Sequence, residues 1–175
     1  RRATGVLIGL SPVWTDLVRL TKPATAFSIR WRPFREQHLM KHLIGARSTG
    51  PIVGGADWIC RQPNHWLFEN TGMTIGDSIP GLVGWEWHGD PANIPNLEII
   101  AQGTTTSGAG SGTYTSTLYP GPKGNLVFNA ATCWWGDALS EPPGYVRPSA
   151  YGAQPQGPDH RVQVITENLL RRLCS

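Results

Sequence analysis

Charged residues are scarce in this chain of 175 residues: Asp, Glu, Lys and Arg together make up 15%, against about 25% in typical globular domains. The net charge is only +3, and the arginines are scattered, for example at Arg30, Arg35 and Arg171. A nucleic-acid-binding surface normally concentrates basic residues on one face, with aromatic residues between them. The sequence therefore argues against a nucleic acid as partner.

Long apolar runs and paired cysteines are also missing. No stretch approaches the roughly 20 apolar residues of a transmembrane helix, and Arg1-Arg2 leads only into the short GVLIGL, unlike a signal peptide. Neither a membrane anchor nor export is expected. The three cysteines (Cys60, Cys133 and Cys174) have no CxxC spacing, which excludes the usual disulfide and zinc frameworks. Free thiols of this kind favour a reducing, cytoplasmic location.

Glycine, proline and tryptophan are abundant instead. The 21 glycines and 15 prolines predict long irregular connections, and the eight tryptophans are candidate anchors for them. Apolar residues make up 39% of the chain, enough to build a core and too many for a disordered protein. The length suits one domain over residues 1–175.

Apolar periodicity and turn residues predict a mixed α/β order, with a sheet and a helix packed on it. Strands are predicted at 5–10, 81–87, 97–102, 113–119 and 124–131. The PGPKG segment (120–124) is predicted to be a tight hairpin turn, and the Gly/Ser/Thr-rich segment 104–112 a flexible loop.

Helices and longer loops are predicted in the remaining segments. One helix is expected after Pro33, with Gly45 as its stop, and a second after Asp159 as N-cap. The second helix carries Val162, Ile165, Leu169 and Leu173 on one face. Loops are predicted over 45–80 and 136–158, the first anchored by Trp58, Trp66 and Phe68.

The segment GLVGWEWHGDP (81–91) is the densest group of chemically active side chains. On a strand, Glu86, His88 and Asp90 share one face because successive side chains alternate. A histidine with two carboxylates is able to catalyse hydrolysis or to bind a divalent metal, and His65 is a candidate further ligand. The predicted catalytic residues are Glu86, His88 and Asp90, and the predicted metal ligands are Glu86, His88 and His65.

A plainer interpretation of the same segment stays open. In it the strand ends near Trp87, Gly89-Asp90-Pro91 forms a turn, and Glu86 pairs with an arginine such as Arg32.

Tryptophans in and beyond this segment form a second candidate site. Stacking of a sugar or a small aromatic ligand would use an exposed indole face, and His65 is a candidate polar contact beside it. The alternative is that these rings fill the core, which the apolar residues before Trp134 favour for at least one of the pair. The candidate stacking residues are Trp85, Trp87, Trp134 and Trp135.

Nucleophilic catalysis by cysteine is not favoured. Neither Cys60 nor Cys133 lies in a segment resembling a nucleophile elbow. The Gly-rich loop also lacks the lysine and the following helix of a phosphate-binding loop.

Three blocks of the sequence resemble a known family. HWLFENTGMTIGDSIPGLVGWEWHGDP (65–91), NLVFNAATCWWGDAL (125–139) and DHRVQVITENLLRRL (159–173) are similar, in that order, to the C-terminal part of the N,N-dimethylformamidase large-subunit family. The family shows a G-L-x-G-x-E segment, in which Glu86 matches the glutamate. The last block is the most specific, with matches at Arg161, Val162, Thr166, Asn168, Leu169 and Leu170.

The resemblance implies a fold and a chemistry. The implied fold is a class I glutamine-amidotransferase-like (flavodoxin-like) α/β sandwich without a cysteine nucleophile, of which this chain is a β-rich C-terminal half ending in a helix. The implied activity is metal-assisted amide hydrolysis with an iron held by tyrosines and a glutamate. Residues 1–29 contain neither Glu nor Tyr, so the upstream ligands are not placed.

Three functional hypotheses follow. The first is a domain of an amide hydrolase using iron or another divalent metal, with a small amide as substrate. The second is a tryptophan-rich, lectin-like module that binds a carbohydrate or another small ligand. The third is a structural role, in which the chain packs against a missing N-terminal half or forms a homo-oligomer.

Overall fold

The computed structural model describes residues 7–8, 41–107, 110–146 and 157–174. A short 3-10 helix spans Trp66–Phe68, and the C-terminal helix α1 spans His160–Cys174. The strands of these ranges are β1 (Leu7–Ile8), β2 (Ala46–Ile59), β3 (Ser78–Pro91), β4 (Glu98–Ser107), β5 (Gly110–Pro120) and β6 (Leu126–Asn129).

The strands form two sheets. One has the order β1-β6-β5-β4, in which β1 is parallel to β6 and the other neighbours are antiparallel. The other consists of the long antiparallel pair β2 and β3. Single bridges join the sheets, one between Cys60 and Ala101 and one between Trp87 and Thr132. The second bridge brings the C-terminal part of β3 beside the segment that follows β6.

The predicted strands after residue 80 are confirmed, and three of them, β3, β4 and β5, extend beyond their predicted bounds. Strands β4 and β5 continue into the predicted loop 104–112 and pair as far as Ser107 and Gly110. Threonines in this segment suit a pleated surface, which outweighs the glycine signal. The predicted turn between β5 and β6 is also confirmed: the Gly121 amide donates to the Asn125 carbonyl at 2.6 Å.

The prediction of a loop over residues 45–80 is wrong for its first part. Strand β2 occupies Ala46–Ile59 in spite of its glycines and Pro51, and its pairing with β3 contains four register shifts. Such bulges accommodate residues that interrupt an alternating pattern. The glycines and the proline that predicted a loop therefore belong to an irregular strand.

A helical turn at residues 41–44 ends at Gly45, as predicted. Gly45 has φ 86°, the left-handed conformation of a helix stop. Strand β5 caps this turn: Thr117 donates to the Ile44 carbonyl at 3.3 Å and Tyr119 to the Leu43 carbonyl at 2.8 Å. The rest of the helix predicted after Pro33 lies outside the described residues.

The core lies between β2 and β3, the four-stranded sheet and α1. Trp58 is fully buried at its centre, with ring centroids 6.1 Å from Phe68 and 5.6 Å from Trp135. The Trp58 indole donates to the Ala130 carbonyl at 3.0 Å. Trp58 and Phe68 are thus anchors, as predicted, and Trp66 is partly buried against the same cluster.

Helix α1 confirms the strongest local prediction. Asp159 Oδ1 accepts the Arg161 amide at 2.9 Å, the contact expected of an N-cap. The Arg161 guanidinium binds both carboxylate oxygens of Asp159 and donates to the Ser78 carbonyl at 2.8 Å. Hydrogen bonds from Arg161 lower the pKa of Asp159 in spite of partial burial. This pair therefore ties the start of α1 to β3.

The apolar face of α1 is buried through Val162, Ile165 and Leu169. Among the described residues, no helix is both long and apolar enough to cross a membrane. The described residues are therefore mostly β-strand in small sheets, with a helix at their C-terminal end.

Candidate functional site

The segment 81–91 is a continuous part of β3. The strand runs to Pro91 and pairs Trp87 with Thr49 and His88 with Ser48. The interpretation in which the strand ends near Trp87 and a turn follows is therefore wrong. Glu86, His88 and Asp90 lie on one strand at alternating positions, although the side chains of Trp85 and Glu86 are outside the described part of the chain.

His88 is buried, with 8% of its surface exposed. Its Nδ1 lies 2.6 Å from Oδ1 of Asn129, which is fully buried at the end of β6. The same Oδ1 accepts the amide of Ala131 at 2.9 Å. Two groups from separate strands thus meet in a protected environment, where an imidazole is held in one orientation.

Asp90, the third member of the predicted row, is exposed to solvent. It shares the strand with His88 but not its protected environment. His88 is therefore buried and Asp90 exposed, although both lie on β3.

His65 lies in a different part of the molecule and has local partners. Its Nδ1 accepts the Leu67 amide at 3.2 Å, which caps the 3-10 helix, and its Nε2 is 3.7 Å from Oε1 of Glu98. The ring packs on Trp66 at a centroid distance of 4.9 Å. Burial lowers the pKa of His65, an effect that Glu98 opposes.

The two histidines have different partners: His65 lies beside Glu98 at the start of β4, and His88 lies beside Asn129 at the end of β6. His65 follows the end of β2, where Ile59 pairs with Ser78, whereas His88 pairs ten residues further along. No group of three or more His, Cys, Asp or Glu side chains suited to a metal occurs within the described residues.

The tryptophans differ in how much of each ring a ligand is able to reach. Trp135 is 1% exposed and packs edge-on against Trp58 and Phe128, while its indole donates to Thr166 Oγ1 at 3.1 Å. Trp134 is also buried. Both are core residues in this structure, so the packing interpretation holds for the pair.

Trp87 is half-buried and lies against β5. A Cβ atom at Gly112 would stand 2.0 Å from Cη2 of Trp87, so the ring occupies the space that only a glycine leaves open. Its buried indole Nε1 has no hydrogen-bond partner among the described residues. Among the candidate stacking residues whose side chains the structure describes, Trp87 is therefore the one that is not fully buried.

The two cysteines considered as nucleophiles differ in burial. Cys60 is fully buried, and burial raises the pKa of its thiol. A thiol kept protonated in this way is a poor nucleophile. Cys133 is half-buried beside Thr132.

Asn129 is the residue that the sequence interpretation missed. It is one polar side chain in the apolar run LVFNAA (126–131). A buried amide needs hydrogen-bond partners, so its place within a predicted buried strand was the available signal. Sequence spacing gives no indication that its partner is His88, 41 positions away.

Comparison with known protein families gives one reported match. A family model described as "N,N-dimethylformamidase beta subunit-like, C-terminal" matches residues 17–150, which is more than half of the chain. The matched range includes β2 to β6 and both His88 and Asn129, and it ends before α1. No curated protein matches the chain significantly.

Proposed function

Because the chain belongs to the N,N-dimethylformamidase beta subunit-like C-terminal family, we propose that it is a domain of an amide-hydrolysing protein in which His88 is a catalytic residue. The observation that carries the proposal is the contact of 2.6 Å between the buried His88 ring and Asn129. Histidine is the commonest side chain for moving a proton in hydrolysis, provided that its ring is held in position.

The proposed chemistry is general-base hydrolysis of a small amide. His88 accepts a proton from water as the water oxygen bonds to the amide carbonyl carbon. The C–N bond then breaks, and the departing amine takes the proton back from the imidazolium. Atoms balance, since water and amide give a carboxylic acid and an amine. Glu86 and Asp90, on the same strand as His88, are proposed to act on the water or the amine.

We propose a metal site formed by Glu86 and His88 without His65, with iron or another divalent ion as the metal. His65 is left out of the proposed site because its Nδ1 caps the 3-10 helix and its Nε2 is beside Glu98. Such an ion would polarise the carbonyl and acidify bound water.

The proposed architecture is the C-terminal part of an amidotransferase-like α/β sandwich that packs with an N-terminal half or a second copy. The parallel pairing of β1 with β6 supports this proposal, since parallel strands are typical of α/β sheets.

The decisive experiment compares two histidine variants of the full protein. N,N-dimethylformamide and a panel of small amides are the substrates, and release of amine is measured. We expect His88→Gln to lower kcat/KM by about 100-fold or more, the usual contribution of a general base. His160→Gln is the matched control because His160 is exposed at the start of α1. An active His88→Gln protein would refute the proposal.

Metal content is measured separately by ICP-MS. We expect the wild-type protein to contain a stoichiometric amount of iron or another divalent metal. The metal content should be lower in Glu86→Ala and His88→Gln and unchanged in His65→Gln. Metal-free, active wild-type protein would remove the metal from the proposal and leave the general-base role standing.

Carbohydrate or small-ligand binding stays a prediction of the sequence, now confined to Trp85 and Trp87. A glycan array with titration of tryptophan fluorescence tests it. Saturable binding that Trp87→Ala abolishes would favour this second function.

A further inference from the structure

We propose that Asn129 is a positioning residue that holds neutral His88 as the Nδ1–H tautomer, so that Nε2 is the basic nitrogen of the site. The catalytic consequence rests on the proposed function above. The tautomer itself does not, and it is measurable without any assay of hydrolysis.

The orientation of the Asn129 amide decides the argument. Oxygen and nitrogen of an asparagine side chain differ in what they bind: the oxygen accepts and the nitrogen donates. The backbone amide of Ala131 lies 2.9 Å from the atom assigned as Oδ1. A backbone N–H needs an acceptor, so this atom must be the oxygen.

The His88 tautomer follows from that assignment. Nδ1 of His88 is 2.6 Å from the same Oδ1. Because that oxygen only accepts, the imidazole must donate, and Nδ1 carries the proton. In a neutral imidazole the other nitrogen then holds the lone pair. His88 is thereby set to accept a proton, or to bind a cation, through Nε2.

The amide is held firmly enough to impose this choice. Asn129 is fully buried, and its backbone carbonyl accepts the Ser116 hydroxyl at 2.7 Å. Its position in β6 is paired with Thr117 of β5. The acceptor that faces His88 thus belongs to the four-stranded sheet.

Asn129 also has a property that a purely structural role does not require. Its Nδ2 is buried without a hydrogen-bond partner among the described residues. Buried amides usually have partners for both groups, and an unpaired donor is costly. An apolar residue here would avoid that cost but would leave the Ala131 amide without this acceptor, and it would not direct His88.

His65 supplies an internal reference of the opposite kind. Its Nδ1 accepts the Leu67 amide, so neutral His65 carries its proton on Nε2. We therefore expect His65 and His88 to be different tautomers, and one spectrum of the protein is able to show both.

The test is two-bond ¹H–¹⁵N NMR of the ¹⁵N-labelled full protein, at a pH where both histidines are neutral. His88 and His65 are assigned by their Gln variants. We expect a protonated Nδ1 for His88 and a protonated Nε2 for His65. Asn129→Asp retains an acceptor and keeps the tautomer, and Asn129→Leu shifts His88 towards protonated Nε2.

Thr132→Val is the matched control for Asn129→Leu. The Thr132 hydroxyl donates to the Leu82 carbonyl at 2.6 Å in the same buried region, without being the acceptor of His88. Its loss weakens the same part of the fold, and the His88 tautomer is expected to stay unchanged.

A protonated Nε2 on wild-type His88 would overturn the inference, and this result is available even if the Asn129 variants do not fold. An unchanged tautomer in folded Asn129→Leu would overturn it as well. Kinetics separates the two proposals: activity that survives His88→Gln refutes the proposed function alone. Full activity in Asn129→Leu with a changed tautomer would refute the positioning role.

Discussion

Buried polar groups near α1 and near His88 are paired to different degrees. At the helix end, where β3 begins beside α1, Trp135 donates to Thr166 and Asn168 donates to the carbonyls of Leu67 and Glu69, although Oδ2 of Asp137 has no partner within the described residues. At the His88 end, the Nε1 of Trp87 and the Nδ2 of Asn129 have no partner within the described residues. Satisfied groups are typical of a structural core, and unsatisfied ones call for an explanation.

The histidines show the same difference. His65 at the helix end uses Nδ1 to cap a 3-10 helix, a structural task. His88 at the other end is oriented by the contact between its Nδ1 and Oδ1 of Asn129. The ring nitrogen that each histidine uses therefore says more about its role than the number of histidines near a motif.

The largest expected loss of stability is at the helix end. Trp135→Ala removes a fully buried indole from contact with Trp58 and Phe128. We expect the free energy of unfolding to fall by about 3–5 kcal/mol, measured by urea denaturation. A loss below about 1 kcal/mol would contradict its assignment as a core residue.

A smaller loss is expected at the His88 end from Gly112→Ala. The added Cβ would meet the Trp87 ring at 2.0 Å, so strand or indole must shift. We expect a destabilisation of about 1–3 kcal/mol with a change in tryptophan fluorescence. Gly136→Ala is the control because a Cβ atom added at Gly136 would meet no atom within 4 Å. Equal effects of the two changes would contradict the contact.

A third prediction concerns how the stability of the start of α1 depends on pH, and Asp159→Asn tests it. Arg161 lowers the pKa of Asp159 below its ordinary value of 3.8, so the carboxylate stabilises the folded state fully above that value. The contribution is lost as the pH falls through the lower pKa of the folded protein. Near neutral pH we expect a loss of about 1 kcal/mol.

Urea denaturation of wild type and Asp159→Asn on both sides of pH 3.8 measures this difference, which should shrink in acid. Asp90→Asn is the control, since Asp90 is exposed. A difference that grows in acid would contradict the sign.

The smallest effect is expected from His65→Gln. Burial lowers the pKa of His65 from 6.5, so the unfolded chain binds its proton more readily. Stability is therefore complete above that value and falls as the solution is acidified through it. Thermal melting at several pH values should show a weaker dependence in His65→Gln. An unchanged dependence would contradict the contribution of this ring.

The sequence was most informative where local signals suffice. Asp159 followed by an apolar helical face predicted α1, and PGPKG predicted the turn between β5 and β6. Strand β2 was missed because Gly50, Pro51 and Gly54 resemble a loop, and only its pairing with β3 makes the segment a strand. His88 was identified from its strand neighbours, but Asn129 was not, because their contact joins distant positions.

By itself, the sequence determined the strand alternation around His88, the capped C-terminal helix and the resemblance to the family, since each depends on neighbouring residues or on a pattern of residue types. Tertiary structure alone decided that His65 lies beside Glu98, that Trp135 fills the core, and that Asn129 faces His88. Those results depend on which strands pair and in what register. The physical reason is that a side chain's chemistry depends on its partners in space, and β-sheet pairing brings together residues that are distant in the chain.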